Sequence, residues 1–209
     1  MINQCRKPSG IPGRLILALM NSRHGRVTDW GLAHIAVGVE DTILDVGCGG
    51  GWTVNKLAAM APAGKVYGID HSRASAIAAR KANTKLIQEG RVEIEQASVS
   101  ELPFPEGFFD LVSAVETHFW WPDLRHDMRE VQRVVRPGGT LIVIAEIYKQ
   151  SKVASGNVTE KALERSGMKV LTAEQHRELF AEAGFGEIRV AVDERKNWIC
   201  VVGKKLTQA

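Results

Sequence analysis

The stretch ILDVGCGGGW, Ile43 to Trp52, carries a short apolar run with Asp45 into a loop where four of five residues are glycine. Gly47, Gly49 and Gly51 remove the β-carbons that would hold a ligand off the backbone, and they permit angles other residues avoid. A helix start beyond them offers free N–H groups to a polar or anionic moiety. Three glycines at alternate positions exceed what a strand-to-helix turn needs, so the loop reads as the cradle of a nucleotide-like ligand. Cys48, inside it, reads as a small backbone-directed residue and not as a nucleophile. Asp70 follows about 19 residues after Gly51, at the end of the next strand. A carboxylate there can accept two hydrogen bonds from a ribose diol, or serve the helix that begins at HSRAS.

Two common phosphate loops do not fit. A dinucleotide fingerprint needs G-x-G-x-x-G/A, and its sixth position is Trp52 counted from Gly47 and Val54 counted from Gly49. The indole would obstruct the close helix–strand contact that the third glycine allows. A P-loop would need Lys-Ser/Thr, which is absent.

A second segment with chemistry in it is ETHFWWPDLRHD, Glu116 to Asp127. Phe119, Trp120 and Trp121 can line an apolar pocket, attract a cation, or cover the sheet. His118 titrates near neutrality and can act as a general base or as a hydrogen-bonded structural residue. Glu146 and Tyr148 lie at the end of a later strand and point to the same side by topology. Tyr148 would orient a nucleophile or pack.

The elements that must position these residues alternate between strand and helix. Strands are expected at Thr42–Val46, Lys65–Asp70, VEIEQ, Phe109–Val115 and TLIVIAEI. Helices are expected at about Trp52–Met60, from an N-cap at Ser72 to about Gln88, and at about Asp123–Val135 before Pro137 and Gly138. TAEQ, Thr172 to Gln175, has the pattern of a capping box, and Gly184 closes the helix it opens. EIRVAVDE and NWICVVGKK then form an antiparallel hairpin. Two short helices, about Gly13–Ser22 and Thr28–Val37, precede the sheet, with Thr28 capping the second. The polar segment after Tyr148 would lie over the carboxyl ends of the strands.

Composition sets the outer limits. The 209 residues carry 44% apolar and 24% charged side chains and a net charge of +3, which fits a globular domain and gives little support to nucleic-acid binding. No apolar run approaches the roughly 20 residues of a membrane span. RLILALM near the start is too short for a signal core. Cys5, Cys48 and Cys200 show no metal spacing, so no metal is expected and a reducing cytoplasm is.

The ordered set ILDVGCGGG, VYGIDHS, SELPFPEGFFDLV and REVQRVVRPGGTLIVI resembles the motifs of class I S-adenosylmethionine-dependent methyltransferases, and the small bacterial "type 11" kind most of all. The resemblance runs from about Thr42 to Ile147 and through the terminal helix and hairpin. It implies a Rossmann-like, doubly wound α/β sheet of seven strands, mostly parallel, with an antiparallel C-terminal strand and helices on both faces. It divides one domain into an N-terminal helical lid (1–40), a cofactor core (41–147), a variable substrate-side segment (148–171) and a terminal helix and hairpin (172–209). It implies S-adenosyl-L-methionine as cofactor and S-adenosyl-L-homocysteine as product.

By the same resemblance, Asp45 would orient the loop or reach the methionine ammonium, and Gly47 and Gly49 would let the backbone pass the methionine and ribose. Asp70 would hold the ribose hydroxyls, His71 would pack beside the adenine, and Glu116 would face the methionine part. Ser98 stands where the family has an acid for the adenine amino group, with the N–H of Val99 serving the ring. That exchange costs on the order of 1 kcal/mol of binding. His24 and Trp30 would belong to the lid.

The expected protein is thus a methyltransferase acting on a small molecule, without nucleic acid or membrane, as a monomer or homodimer. The alternative is a catalytically silent S-adenosylmethionine-binding sensor or partner protein.

Overall fold

Apolar, β-branched runs build one seven-stranded sheet in a computed structural model, which describes residues 24–149 and 167–207. The strands are β1 (Thr42–Val46), β2 (Lys65–Asp70), β3 (Val92–Gln96), β4 (Phe109–Val115), β5 (Val135–Ala145), β6 (Phe185–Asp193) and β7 (Trp198–Lys205). Their order across the sheet is β3-β2-β1-β4-β5-β7-β6. The pairs β1–β2, β1–β4, β2–β3 and β4–β5 are parallel. Only β7 runs against its neighbours, β5 and β6. The chain winds outward from β1 in both directions, so the crevice of an open α/β sheet lies at the carboxyl ends of β1 and β4.

Side-chain alternation sends Leu44 and Val46 into one apolar cluster and Ile43 into the other, one on each face of the sheet. On the first face, Leu124, Met128, Val131 and Val134 of helix α5 (Leu124–Val134) pack with Phe109 and Leu141. Their spacing of three and four residues is a helical stripe. Helix α6 (Ala173–Glu182) joins them through Leu179 and Phe180. On the second face lie helix α1 (24–32), α2 (Trp52–Met60) and α3 (Arg73–Ala82), which bury Val27, Leu57 and Ala79 against Ile43, Ile142 and Ile144.

Local chemistry explains most boundaries. Ser72 caps α3 by accepting from the N–H of Ser75. Thr172 and Gln175 form the expected capping box: each side chain accepts from the other residue's N–H, at 2.9 and 3.1 Å. Four expectations change. The long helix to Gln88 breaks at Asn83, leaving a separate α4 (Thr84–Gln88), because the Asn83 side chain donates to the carbonyl of Gly51, 2.9 Å away. Strand β5 begins at Val135, pairing with Phe109, and shifts register before Thr140 meets Leu111. Thr28 does not cap a helix; it sits inside α1 and donates to the carbonyl of His24 at 2.8 Å. The helix ends at residue 32, short of Val37. The expected helix at Gly13–Ser22, and the middle of the segment after Tyr148, lie outside the described residues.

Candidate active site

A cavity of about 310 Å³ opens at the carboxyl ends of β1, β2 and β4. Its floor is the glycine loop. The N–H groups of Gly47 and Cys48 both donate to the carbonyl of Ile69, at 2.8 and 2.9 Å, so the loop folds back over the end of β2. Gly51 adopts φ +81°, and a β-carbon there would stand 2.8 Å from the Cα of Ala79 in α3. Only glycine meets both constraints. Gly49 has φ +52° and lines the cavity, and a β-carbon on it would meet nothing within 4 Å. The space it leaves is open to the cavity and is not packing space.

Asp70 ties the loop to the next helix. One carboxylate oxygen accepts from the N–H of Gly49 at 3.0 Å and the other from the N–H of Ser72 at 2.8 Å. Burial pushes its carboxyl up, and these two N–H groups pull it back. His71, half exposed, has Nδ1 3.6 Å from the same carboxylate. Ser98 and Val99 line the wall next to Ala97 and Ile69.

Across the cavity, the turn after β4 carries Glu116 at φ +56°, a left-handed angle unusual for a side chain with a β-carbon. Its N–H donates to the carbonyl of Ile144 at 2.9 Å, and its carboxylate accepts from the N–H of Glu146. Glu116 therefore clasps the ends of β4 and β5. His24 of α1 faces both acids, with Nδ1 3.5 Å from Glu146 and 3.9 Å from Glu116. Trp120, Trp121 and Pro122 form the rim on this side, and Trp52 and Thr53 lie at the start of α2.

The cavity thus brings together Gly47, Cys48, Gly49, Asp70, His71, Ser98, Val99, Glu116, His24, Trp120 and Trp121 of the residues expected from sequence. Other expected residues stand elsewhere. His118 is buried behind the rim, where its Nε2 meets Nε2 of His176 in α6 at 2.9 Å. Burial pushes its pKa well below the usual imidazole value, and it does not line the cavity. Tyr148 and Phe119 are packed into the core of the first face. Trp30 stacks edge-on with His34 and lies against Trp198. Asp45 is fully buried behind the loop, its carboxylate accepting from the hydroxyl of Ser113 at 2.7 Å. Burial pushes its pKa up to about 7, against the pull of that hydroxyl and with repulsion from Asp70 added. Gly51 shapes the loop without lining the space, and Glu146 meets the cavity through its contacts with His24 and Glu116. Thr28, Trp52 and Thr117 line it although their sequence positions carried no sign of it. Burial pushes the Cys48 thiol far up, so it is no thiolate nucleophile at neutral pH.

Residues 44–143 match the family model described as "Methyltransferase domain". The chain is 32% identical over 177 residues to a demethylmenaquinone methyltransferase of Lactococcus lactis subsp. lactis, covering 75% of this chain and 68% of that one. The class I S-adenosylmethionine-dependent methyltransferases are the family to which the chain belongs. A 27-O-demethylrifamycin SV methyltransferase of Amycolatopsis mediterranei is 35% identical over 116 residues, 56% of this chain but 42% of that relative, so less than half of the longer protein is represented. An S-adenosylmethionine-dependent methyltransferase from Aquifex aeolicus shares the fold, with a TM-score of 0.70, 20% identity, and coverage of 89% of this chain and 98% of that one.

The methyltransferase uses S-adenosylmethionine as its cofactor. The residues present fit that group. The space left by Gly49 admits a ligand against the backbone, the carboxylate of Asp70 suits a diol, and the wall at Ile69, Ala97 and Val99 is apolar enough for a purine. Among the described residues, no helix is long and apolar enough to cross a membrane.

Proposed function

We propose that the methyltransferase moves the methyl group to a small-molecule acceptor that enters beside Trp120 and Pro122. The observation that carries this reading is one cavity lined by two kinds of group. The glycine loop, Asp70, Ser98 and Val99 suit a nucleoside, and Trp120, Pro122 and His24 add aromatic, apolar and titratable surface. In this assignment Asp70 holds the ribose hydroxyls and His71 flanks the adenine. Ser98 and the N–H of Val99 meet the adenine edge, and Glu116 faces the methionine part. Bound there, the cofactor supplies an activated methyl group. The protein's task is to align the acceptor, exclude water and take up a proton where one is released.

The acceptors named for the two relatives, demethylmenaquinone and 27-O-demethylrifamycin SV, support a small-molecule acceptor here. The test is incubation with methyl-labelled S-adenosylmethionine and three probes: reduced demethylmenaquinone, catechol and a primary alkylamine. Label on at least one probe is expected. Cofactor binding by calorimetry with no label on any of them would refute this choice of acceptor class.

A further inference from the structure

Three side chains from three separate elements meet beside the cavity, and their common point is a histidine ring. His24 comes from α1, Glu116 from the end of β4 and Glu146 from the end of β5. The ring lines the cavity, while Nδ1 is turned away from solvent towards the two carboxylates. Its main-chain carbonyl is held by the hydroxyl of Thr28, one turn along the helix. The backbone link from Glu146 to the carboxylate of Glu116 holds both acids in place.

We infer that His24 is the general base of the transfer and that Glu146 positions it, so that the acceptor is a molecule whose nucleophilic atom still carries a proton at neutral pH. This rests on the methyl-transfer reading above. The chemistry follows from the geometry. A carboxylate facing Nδ1 selects the tautomer with the proton on Nδ1, which puts the ring's lone pair on Nε2, across the ring from the acids. The same order of base and orienting acid serves hydrolytic triads, where the two are hydrogen-bonded; here 3.5 Å separates Nδ1 from Glu146. As the acceptor atom takes the methyl group, its own proton passes to Nε2. The electron pair of the broken carbon–sulfur bond stays on sulfur. The positive charge lost from the sulfonium reappears as imidazolium between Glu116 and Glu146, and it leaves as a proton to solvent.

Among the described residues, the other titratable groups around the cavity have other contacts. Both oxygens of Asp70 accept from the backbone of Gly49 and Ser72. His71 lies beside Asp70, with Nδ1 3.6 Å from its carboxylate. The Cys48 thiol is held protonated by burial. His118 is sealed against His176.

The ring nitrogens of His24 can be followed by NMR in ¹⁵N-labelled protein saturated with S-adenosylhomocysteine, with calorimetry of the same samples. The neutral ring is expected as the Nδ1–H tautomer. Glu146→Gln is expected to lower its titration midpoint by about half a pH unit or more, because one neighbouring charge is gone. On a methylated probe, His24→Gln should lower turnover by about 100-fold and remove the acid limb of the pH profile, while the affinity for S-adenosylhomocysteine stays within about threefold. A neutral ring protonated on Nε2, a midpoint indifferent to Glu146→Gln, or an acid limb that survives in His24→Gln would each overturn the assignment. Failure of the wild type to bind S-adenosylhomocysteine would instead strike the methyl-transfer reading, and the tautomer can still be read in that sample.

Discussion

Asp45→Asn separates the charge of a buried carboxyl from its shape. Asp45 keeps its proton up to about pH 7 in the folded chain, against an ordinary value of 3.8. Between those two values the unfolded chain has released a proton that the folded chain still holds. Stability therefore falls as pH rises through the window and is flat above it. Each pH unit costs about 1.4 kcal/mol, so the whole window is worth about 4 kcal/mol, and the part between pH 5 and pH 8 about 3 kcal/mol. Asparagine has nothing to titrate, and its oxygen can still accept from the Ser113 hydroxyl. Whatever the new buried amide costs is the same at every pH. The stability difference, variant minus wild type, should thus grow by about 3 kcal/mol from pH 5 to pH 8. Urea unfolding of the ligand-free proteins, followed by tryptophan fluorescence at four pH values, measures it. Parallel stability curves for the two proteins would refute the reasoning, because a normal Asp45 contributes no slope in that range.

Other substitutions divide packing from binding. Asp70→Asn should weaken S-adenosylmethionine binding about 10- to 100-fold by calorimetry, since a charge-assisted acceptor becomes a neutral one; unchanged affinity removes Asp70 from the site. Trp121 is almost wholly buried in the first core cluster while Trp120 is only partly so. Trp121→Ala should then cost about 3–5 kcal/mol of stability, and Trp120→Ala should change turnover with little loss of stability. Equal unfolding curves for the two variants would remove the distinction. The His118–His176 pair is held neutral by burial. Because the unfolded chain takes up protons first, stability should fall as pH drops below about 6.5, by up to about 1.4 kcal/mol per pH unit for each ring. His118→Leu with His176→Leu should flatten that acid slope, and a slope that persists means other groups cause it.

The sheet was legible because its central strands are buried on both faces and so read as continuous apolar runs. The glycine loop was legible because glycine is the only residue that says where a backbone must come close to something. Long-range polar contacts left no local sign. Asn83 looks like one more polar residue on a helix surface, yet it reaches a carbonyl 32 positions away and breaks the helix. His118 sits in a polar, aromatic loop that suggests exposure; the loop turns inward in a short 3₁₀ turn, and the ring finds its partner 58 residues on. By the family resemblance Asp45 would orient the loop or reach the methionine ammonium. Strand alternation turns it into the interior on the face of Ile43, behind the loop.

The two carboxylates next to the glycine loop do opposite work, and burial alone does not separate them, since Asp70 is only 8% exposed and Asp45 2%. The difference is in their donors. Asp45 accepts from a neutral hydroxyl, that of Ser113, and takes up a proton near neutrality. Asp70 has two backbone N–H groups, from the loop and from the start of α3, which favour its charged form. A carboxylate has about four acceptor sites, so two bonds leave capacity for a diol on the cavity side. The bonds that hold the loop therefore also oppose the rise that burial gives the Asp70 carboxyl. It follows that loss of loop order and loss of cofactor affinity should appear together in Asp70→Ala, whereas Asp70→Asn, which keeps one accepting oxygen, should retain more of the first than of the second.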